Sequence, residues 1–119
     1  MATSGGIFAA KSSVAQRYIT NPATTTYAAT TNLDCANGLQ TVSLTGDVTF
    51  TTSNLVAGAN IIVRVICDGT PRNFTFPGGW TFVGAAAPAS IAAGKTALLT
   101  LRSFGTADSA VIAQYAVQP

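Results

Sequence analysis

The chain alternates apolar and polar side chains most clearly between residues 61 and 67. Apolar residues occupy the odd positions of this run, and its only charge, Arg64, lies at an even position. Because successive side chains of a β-strand point to opposite faces, this pattern predicts a central strand with one buried face. Asp68-Gly69 then predicts a turn, after which residues 72–76 resume the alternation and place Phe74 and Phe76 on one face.

Shorter alternating runs recur along the rest of the chain, separated by Gly, Asn and Asp. They cover residues 39–45, 48–52, 80–83, 95–104 and 111–117. Residues 45–47 predict a hairpin between the first two runs, and the turn at 68–69 predicts a second antiparallel pair. With roughly eight strands at this spacing, we expect an all-β fold: a two-sheet antiparallel β-sandwich, jelly-roll-like, formed by residues 32–119.

Residues 1–31 are rich in Thr and Ala and provide few large apolar side chains. We predict an extended N-terminal arm over this range, with a short helix over residues 9–18 as the alternative. The Thr24-Thr25-Thr26 run favours extended backbone, because β-branched side chains suit strands better than helices.

The composition restricts the classes of partner. Charged residues make up 8% of the chain, whereas about a quarter is usual in soluble domains. The net charge is +2, and the six basic residues are scattered, so a nucleic-acid partner is not expected. The sequence contains no run of about 18 apolar residues, so no membrane helix is predicted. The N-terminus does not have the order of a secretory signal, so we expect a protein that is made and kept in a cytoplasm.

Catalytic chemistry is almost absent from the sequence. There is no His and no Glu, and the four Asp residues, at 34, 47, 68 and 108, lie at or beside predicted turns. Residues 89–96 approach a phosphate-binding loop, but Ala89 replaces its first glycine and a strand pattern follows instead of a helix. We therefore expect no enzyme, no cofactor and no metal. Cys35 and Cys67 are expected to be buried free thiols, with one disulfide as the alternative.

One aromatic corner, Pro77-Gly78-Gly79-Trp80, has two interpretations. Trp80 either fills one end of the core or is exposed as a sugar-stacking or contact residue together with Pro77 and Gly79. The sequence leaves both open.

Several motifs, taken together, resemble a β-sandwich module of tailed-bacteriophage head decoration (cement) proteins and fibres. They are Val42-Ser-Leu-Thr-Gly-Asp-Val-Thr-Phe50, the Phe74-Thr-Phe-Pro77 strand followed by Trp80, and Ala93-Gly-Lys95 leading into a Leu/Thr-rich strand. The resemblance covers about 75 of the 119 residues. The chain has Phe104-Gly-Thr-Ala-Asp108 where that module usually has an Asp-Gly turn.

The resemblance implies a virion structural protein that binds the outer capsid surface and stabilises contacts between major capsid subunits. The alternative it implies is a receptor- or carbohydrate-binding module of a tail or head fibre. Expected partners are the major capsid protein and further copies of the chain, as a homotrimer in preference to a dimer. The arm residues expected to contact the capsid or a sister copy are Ile7, Phe8, Arg17, Tyr18 and Ile19.

Overall fold

A computed structural model describes residues 22–119, which form ten strands and one short 3-10 helix. The strands are β1 (Ala23–Thr24), β2 (Thr30–Asp34), β3 (Leu39–Leu44), β4 (Val48–Ser53), β5 (Asn60–Cys67), β6 (Arg72–Thr75), β7 (Thr81–Phe82), β8 (Ser90–Ile91), β9 (Thr96–Ser103) and β10 (Val111–Val117). The 3-10 helix, η1, spans Asp108–Ala110 and directly precedes β10.

The strands form two sheets, so the predicted all-β, two-sheet architecture is confirmed. The six-stranded sheet has the order β1-β3-β5-β9-β10-β7, and the four-stranded sheet has the order β2-β4-β6-β8. A wholly antiparallel, jelly-roll-like arrangement was predicted, but most of the observed strand pairings are parallel. Of the eight strand pairings in the described part of the chain, five are parallel and three are antiparallel.

The parallel pairings arise because the chain from β1 to β6 winds alternately through the two sheets. Strands β1, β3 and β5 lie side by side in one sheet, while β2, β4 and β6 lie side by side in the other. Gln40 of β3 is opposite both Ala23 of β1 and Val63 of β5, so each winding stacks in register on the previous one.

Hydrogen bonds tie the corners of successive windings together. The Tyr27 hydroxyl, in the first corner, donates to the carbonyl oxygen of Asp47 in the second at 2.8 Å. The Asp47 carboxylate accepts a hydrogen bond from the backbone N–H of Asn73 in β6 at 2.9 Å, which joins the second winding to the third. A Cβ atom at Gly46 would collide with the Tyr27 side chain. Glycine at this position therefore leaves room for the Tyr27 ring where it lies against the second corner.

Two connections predicted to be hairpins are corners between the sheets. Residues 45–47 join β3 to β4, and residues 68–71 join β5 to β6, yet each pair belongs to different sheets. An alternating strand followed by a short Gly/Asp turn and a second alternating strand is compatible with either arrangement. Only the partner strand distinguishes them, and in both cases that partner comes from the next winding.

The core lies between the sheets and contains the apolar positions that alternation predicted. The odd residues of β5, Ile61 to Cys67, are buried, as are Val48 and Phe50 of β4 and Leu99 and Leu101 of β9. An aromatic cluster occupies the end near β7, where ring centroids lie 5.0–6.2 Å apart; its rings are Phe50, Phe74, Phe76, Trp80 and Phe82.

The sheets begin before the predicted start of the sandwich at residue 32. Ala23–Thr24 pairs with β3, and Thr30 and Thr31 pair with β4, so these residues of the predicted arm belong to strands. Residues 1–21 of that arm, including the alternative helix over residues 9–18, lie outside the described residues.

Candidate functional site

The aromatic corner is a structural element of the core. The Trp80 side chain is only 7% exposed, so it fills the core end and does not offer an open stacking platform. Its indole Nε1 donates to Oδ1 of Asp108 at 2.9 Å, and the Thr52 hydroxyl donates to the same oxygen at 2.7 Å. A buried indole N–H needs such an acceptor, and η1 provides it.

Gly79 allows η1 to approach this corner. A Cβ atom at residue 79 would lie 2.8 Å from the backbone nitrogen of Ser109 and 3.0 Å from the carbonyl carbon of Asp108. No side chain can occupy that space without moving backbone atoms. Of the predicted recognition loop, Gly79 is exposed and Pro77 is half-buried, and the corner as a whole is held against η1.

The arm residues predicted to contact a capsid or a sister copy all lie outside the described residues. They are Ile7, Phe8, Arg17, Tyr18 and Ile19. Their contacts therefore stay a prediction.

All four aspartates accept hydrogen bonds from groups of the fold: Asp34, Asp47 and Asp68 lie at or beside turns and corners, and Asp108 lies in η1. Asp68 forms a two-bond ion pair with Arg72, with Nε–Oδ1 at 2.9 Å and Nη2–Oδ2 at 2.7 Å, and this pair spans the corner from β5 to β6. The hydrogen bonds from Arg72 hold the pKa of Asp68 below its usual value. Asp34 accepts from the Asn54 amide and the Ala36 backbone N–H, which lower its pKa in the same order.

Cys35 and Cys67 are both buried and free, so the prediction of two buried thiols is confirmed and the disulfide alternative is not seen. Burial is the main cause that raises the pKa of each thiol. The Cys67 thiol also donates to the carbonyl oxygen of Thr70 at 3.2 Å. Each sulfur is therefore held as the neutral thiol, which is a poor nucleophile.

The segment that approaches a phosphate-binding loop forms a turn between strands. Ser90–Ile91 is β8, Thr96 begins β9, and Gly94 has a positive φ of 73° in the turn that joins them. The helix that a phosphate loop would require is replaced by a strand, as the alternation predicted.

The buried polar residue Gln40 was not singled out from the sequence. Its Nε2 donates to the carbonyl oxygens of Asp34 and Asn37 at 2.7 and 2.8 Å, and its Oε1 accepts from the Thr25 hydroxyl at 2.8 Å. Gln40 thus ties β1 to the loop between β2 and β3. Its side chain is fully used inside the fold and is not available to a ligand.

The two sheets present outer faces of different chemistry. The outer face of the four-stranded sheet is almost entirely hydroxyl and amide; its outward residues are Thr30, Asn32, Asp34, Thr49, Thr51, Ser53, Asn73, Thr75 and Ser90. Three of these groups bond to one another: the Asn32 amide donates to the Ser53 hydroxyl at 2.8 Å and accepts from the Thr51 hydroxyl at 3.1 Å.

The outer face of the six-stranded sheet carries apolar and basic side chains among polar ones, which include Thr41, Thr100 and Gln114. Its large apolar and charged side chains are Leu39, Ile62, Arg64, Ile66, Leu98, Arg102 and Ile112. Leu98 is 46% exposed and Ile62 is 37% exposed. Among the described residues, this is where aliphatic side chains and uncompensated positive charge lie together. It is the strongest candidate for a binding surface.

Three comparisons, with protein-family models, with curated proteins and with solved structures, give no match to this chain. Between residues 22 and 119, no helix is long and apolar enough to cross a membrane. The same residues contain no group of three or more His, Cys, Asp or Glu side chains placed to hold a metal ion.

Proposed function

We propose that the chain is a non-enzymatic structural protein of a bacteriophage virion, a decoration protein that binds the outer capsid surface and stabilises contacts between major capsid subunits. The observation that supports this proposal best is the contrast between the two outer faces of the module. A two-sheet body with one polar face, and an opposite face on which aliphatic and basic side chains are exposed, is suited to lie on a larger assembly.

The fixed interior supports the same proposal. The four aspartates accept hydrogen bonds from groups of the fold, the two thiols are buried, and the Trp80 indole is bound to Asp108. Catalysis requires a nucleophile or a base that is within reach of a substrate. With these groups committed to the fold, a binding role uses the side chains that are left on the surface.

The partners in this proposal are the major capsid protein and further copies of the chain, with a homotrimer favoured over a dimer. Neither nucleic acid nor membrane is among them. The arm, through Ile7, Phe8, Arg17, Tyr18 and Ile19, would supply one contact with the shell or with a sister copy.

Addition of the purified chain to empty capsid shells of the same phage tests the proposal. Co-sedimentation should show saturable occupancy, and coated shells should resist heating to a higher temperature than bare shells. A chain that does not sediment with the shells at any concentration would refute the decoration role. A variant that lacks residues 1–21 tests the arm, because unchanged occupancy would mean that the arm does not hold the protein on the shell.

A second candidate is a receptor- or carbohydrate-binding module of a tail or head fibre. The outer face of the four-stranded sheet favours it, because Thr30, Thr49 and Thr75 form a row of hydroxyls across three neighbouring strands. Such groups can hydrogen-bond to sugars, although Trp80 is too buried to stack on one. Binding of the intact chain to a glycan array in the absence of shells, reduced by Thr49→Val, would favour this function over decoration.

A further inference from the structure

We propose that the outer face of the six-stranded sheet docks onto a protein surface that presents carboxylates beside apolar side chains. This inference rests on the proposed binding function and specifies its contact surface, which is distinct from the predicted arm. Leu39, Ile62 and Leu98 would make the apolar contacts, and Arg64 and Arg102 would pair with carboxylates of the partner.

The apolar part of this face is shaped to receive side chains. Leu39, Ile62, Arg64 and Leu98 line a concavity of about 280 Å³. A second concavity of about 250 Å³ lies on the other side of Leu98 and includes Val83, which is 41% exposed. Leu98 is thus a ridge between two hollows in the middle of the sheet. Burial of exposed aliphatic area of this kind is a general source of affinity between proteins.

The charge on the face indicates the chemistry of the partner. Arg64 lies between Thr41 and Leu98 of the neighbouring strands, and its Nε donates to the Thr41 hydroxyl at 3.2 Å. Arg102 lies between Asn60 and Ile112, so each arginine has one aliphatic and one polar neighbour across the strands. The sequence has only four acidic side chains, and none lies on this face: Asp34 ends β2 in the other sheet, Asp47 and Asp68 lie at corners, and Asp108 lies in η1. A carboxylate that pairs with Arg64 or Arg102 must therefore come from another molecule.

The same charges argue against the two alternative occupants within reach. A second copy that met this face with its own would bring four arginines together. Residues 1–21 carry Lys11 and Arg17 and no acidic residue, so they would also add positive charge. Docking by strand addition at the edge of this sheet is disfavoured as well, because its edge strands, β1 and β7, are each two residues long.

Leu98→Glu tests the surface, and Val117→Glu is its matched control. Both side chains are 46% exposed, but Val117 is in register with the buried Ala97 and so lies off the outer face. Arg64→Gln removes one positive charge from the face, with Lys95→Gln as the control at a turn outside it. Circular dichroism should show that all four full-length variants keep the fold.

The first measurement uses the anionic fluorophore 1-anilinonaphthalene-8-sulfonate, which combines apolar rings with a negative charge. Its fluorescence should rise on the full chain, and the increase should be largely lost in Leu98→Glu, reduced in Arg64→Gln and unchanged in both controls. No increase with the native full-length chain would mean that the face is covered by the chain itself. An equal increase in all variants would place the dye elsewhere. Either result would overturn the proposal.

The second measurement uses the empty shells. Leu98→Glu should bind them at least about tenfold more weakly than Val117→Glu, which corresponds to about 1.4 kcal/mol. Added salt should weaken binding of the native chain more than binding of Arg64→Gln. If the dye results are as expected but the native chain does not bind shells, the decoration function is refuted and the docking surface is still supported. If both glutamate variants bind shells equally, the surface is wrong while the function stands.

Self-association is measured by analytical ultracentrifugation of the native chain and the same variants. An oligomer that Leu98→Glu dissociates and Val117→Glu does not would identify a second copy as the occupant and would overturn the choice of an acidic partner. Retention of the native oligomeric state by both variants is the expected result.

Discussion

The contact between Asp108 and Trp80 allows a quantitative test of the role assigned to the aromatic corner. Asp108→Ala removes the acceptor of two hydrogen bonds, one from the indole Nε1 of Trp80 at 2.9 Å and one from the Thr52 hydroxyl at 2.7 Å. A hydrogen bond to a charged group contributes about 1.5–3 kcal/mol, and a buried donor left unpaired costs about 1–3 kcal/mol. Trp80 is 7% exposed, so water cannot readily replace the carboxylate at the indole.

Thr52 and Asp108 are half-buried, so water can satisfy the threonine hydroxyl after the substitution. The substitution therefore loses the whole contribution of the bond from the Trp80 indole and only part of the contribution of the bond from the Thr52 hydroxyl. Asp108→Ala should lower the free energy of unfolding by about 2–4 kcal/mol. Asp108→Asn keeps an acceptor oxygen without the charge and should cost about half as much.

A double-mutant cycle with Trp80→Phe isolates the indole bond. Unfolding in urea should be followed by far-UV circular dichroism, because Trp80 is the only tryptophan of the chain and its fluorescence disappears in two of the four proteins. In the Trp80→Phe background, Asp108→Ala should cost less by about 1–2 kcal/mol, because the donor is already absent. If the two substitutions change the free energy of unfolding additively, the indole of Trp80 and Asp108 do not interact. A decrease below about 0.5 kcal/mol for Asp108→Ala alone would likewise refute the structural role of their hydrogen bond.

Three further predictions concern stability. Gly79→Ala should destabilise the fold by about 1–3 kcal/mol, because its Cβ would meet the Ser109 backbone, whereas Gly78→Ala, whose Cβ would meet nothing within 4 Å, should be nearly neutral in the same urea titration. Tyr115→Phe should raise the free energy of unfolding by about 1 kcal/mol, because the Tyr115 hydroxyl is buried without a hydrogen-bond partner among the described residues. A lower midpoint temperature of thermal unfolding would contradict this prediction. The folded-state pKa of Asp68 is lowered, so its stabilising effect is present above the ordinary aspartate value of about 3.9 and is lost as the pH falls further; Asp68→Asn should reduce that loss in acid titrations.

Local structure was predictable from the sequence because alternation reports which face of a strand is buried. The predicted inward residues of β4, β5 and β9 are the ones that the core contains. The turns were also found, since Gly46, Asp47, Asp68 and Gly94 have the backbone and side-chain properties that turns require. These signals depend only on near neighbours in the chain, and they are read in the same way in any β architecture.

Strand pairing was not predictable in the same way. The parallel partner of Val42 is Val65, and that of Val48 is Phe74, both more than twenty residues away. Nothing in either strand indicates whether the following turn returns along the same sheet or crosses to the other. The decisive interactions, such as the bond from Tyr27 to the Asp47 carbonyl, join separate windings.

The candidate site was only partly visible in the sequence for a related reason. Trp80 is the one tryptophan of the chain and lies in a glycine-rich corner, but the acceptor of its indole N–H is Asp108, which is 28 residues away in the sequence. In the sequence, Ile62, Leu98 and Arg102 are single side chains at alternate positions of separate strands. They form one surface only because β5 and β9 are neighbours, a pairing that the alternation does not specify.

The outer face of the six-stranded sheet exposes apolar side chains that the fold itself does not require. A sheet face in water can be made of Thr, Ser and Asn, as the four-stranded sheet of this chain demonstrates. The six-stranded sheet instead keeps Ile62 and Leu98 exposed beside Arg64, an arrangement that adds nothing to the core. Within one small domain, the polar face serves as an internal comparison for the apolar one. The polar sheet shows that the fold does not need exposed aliphatic and basic side chains on an outer face, and it is these side chains that the proposed docking surface would use.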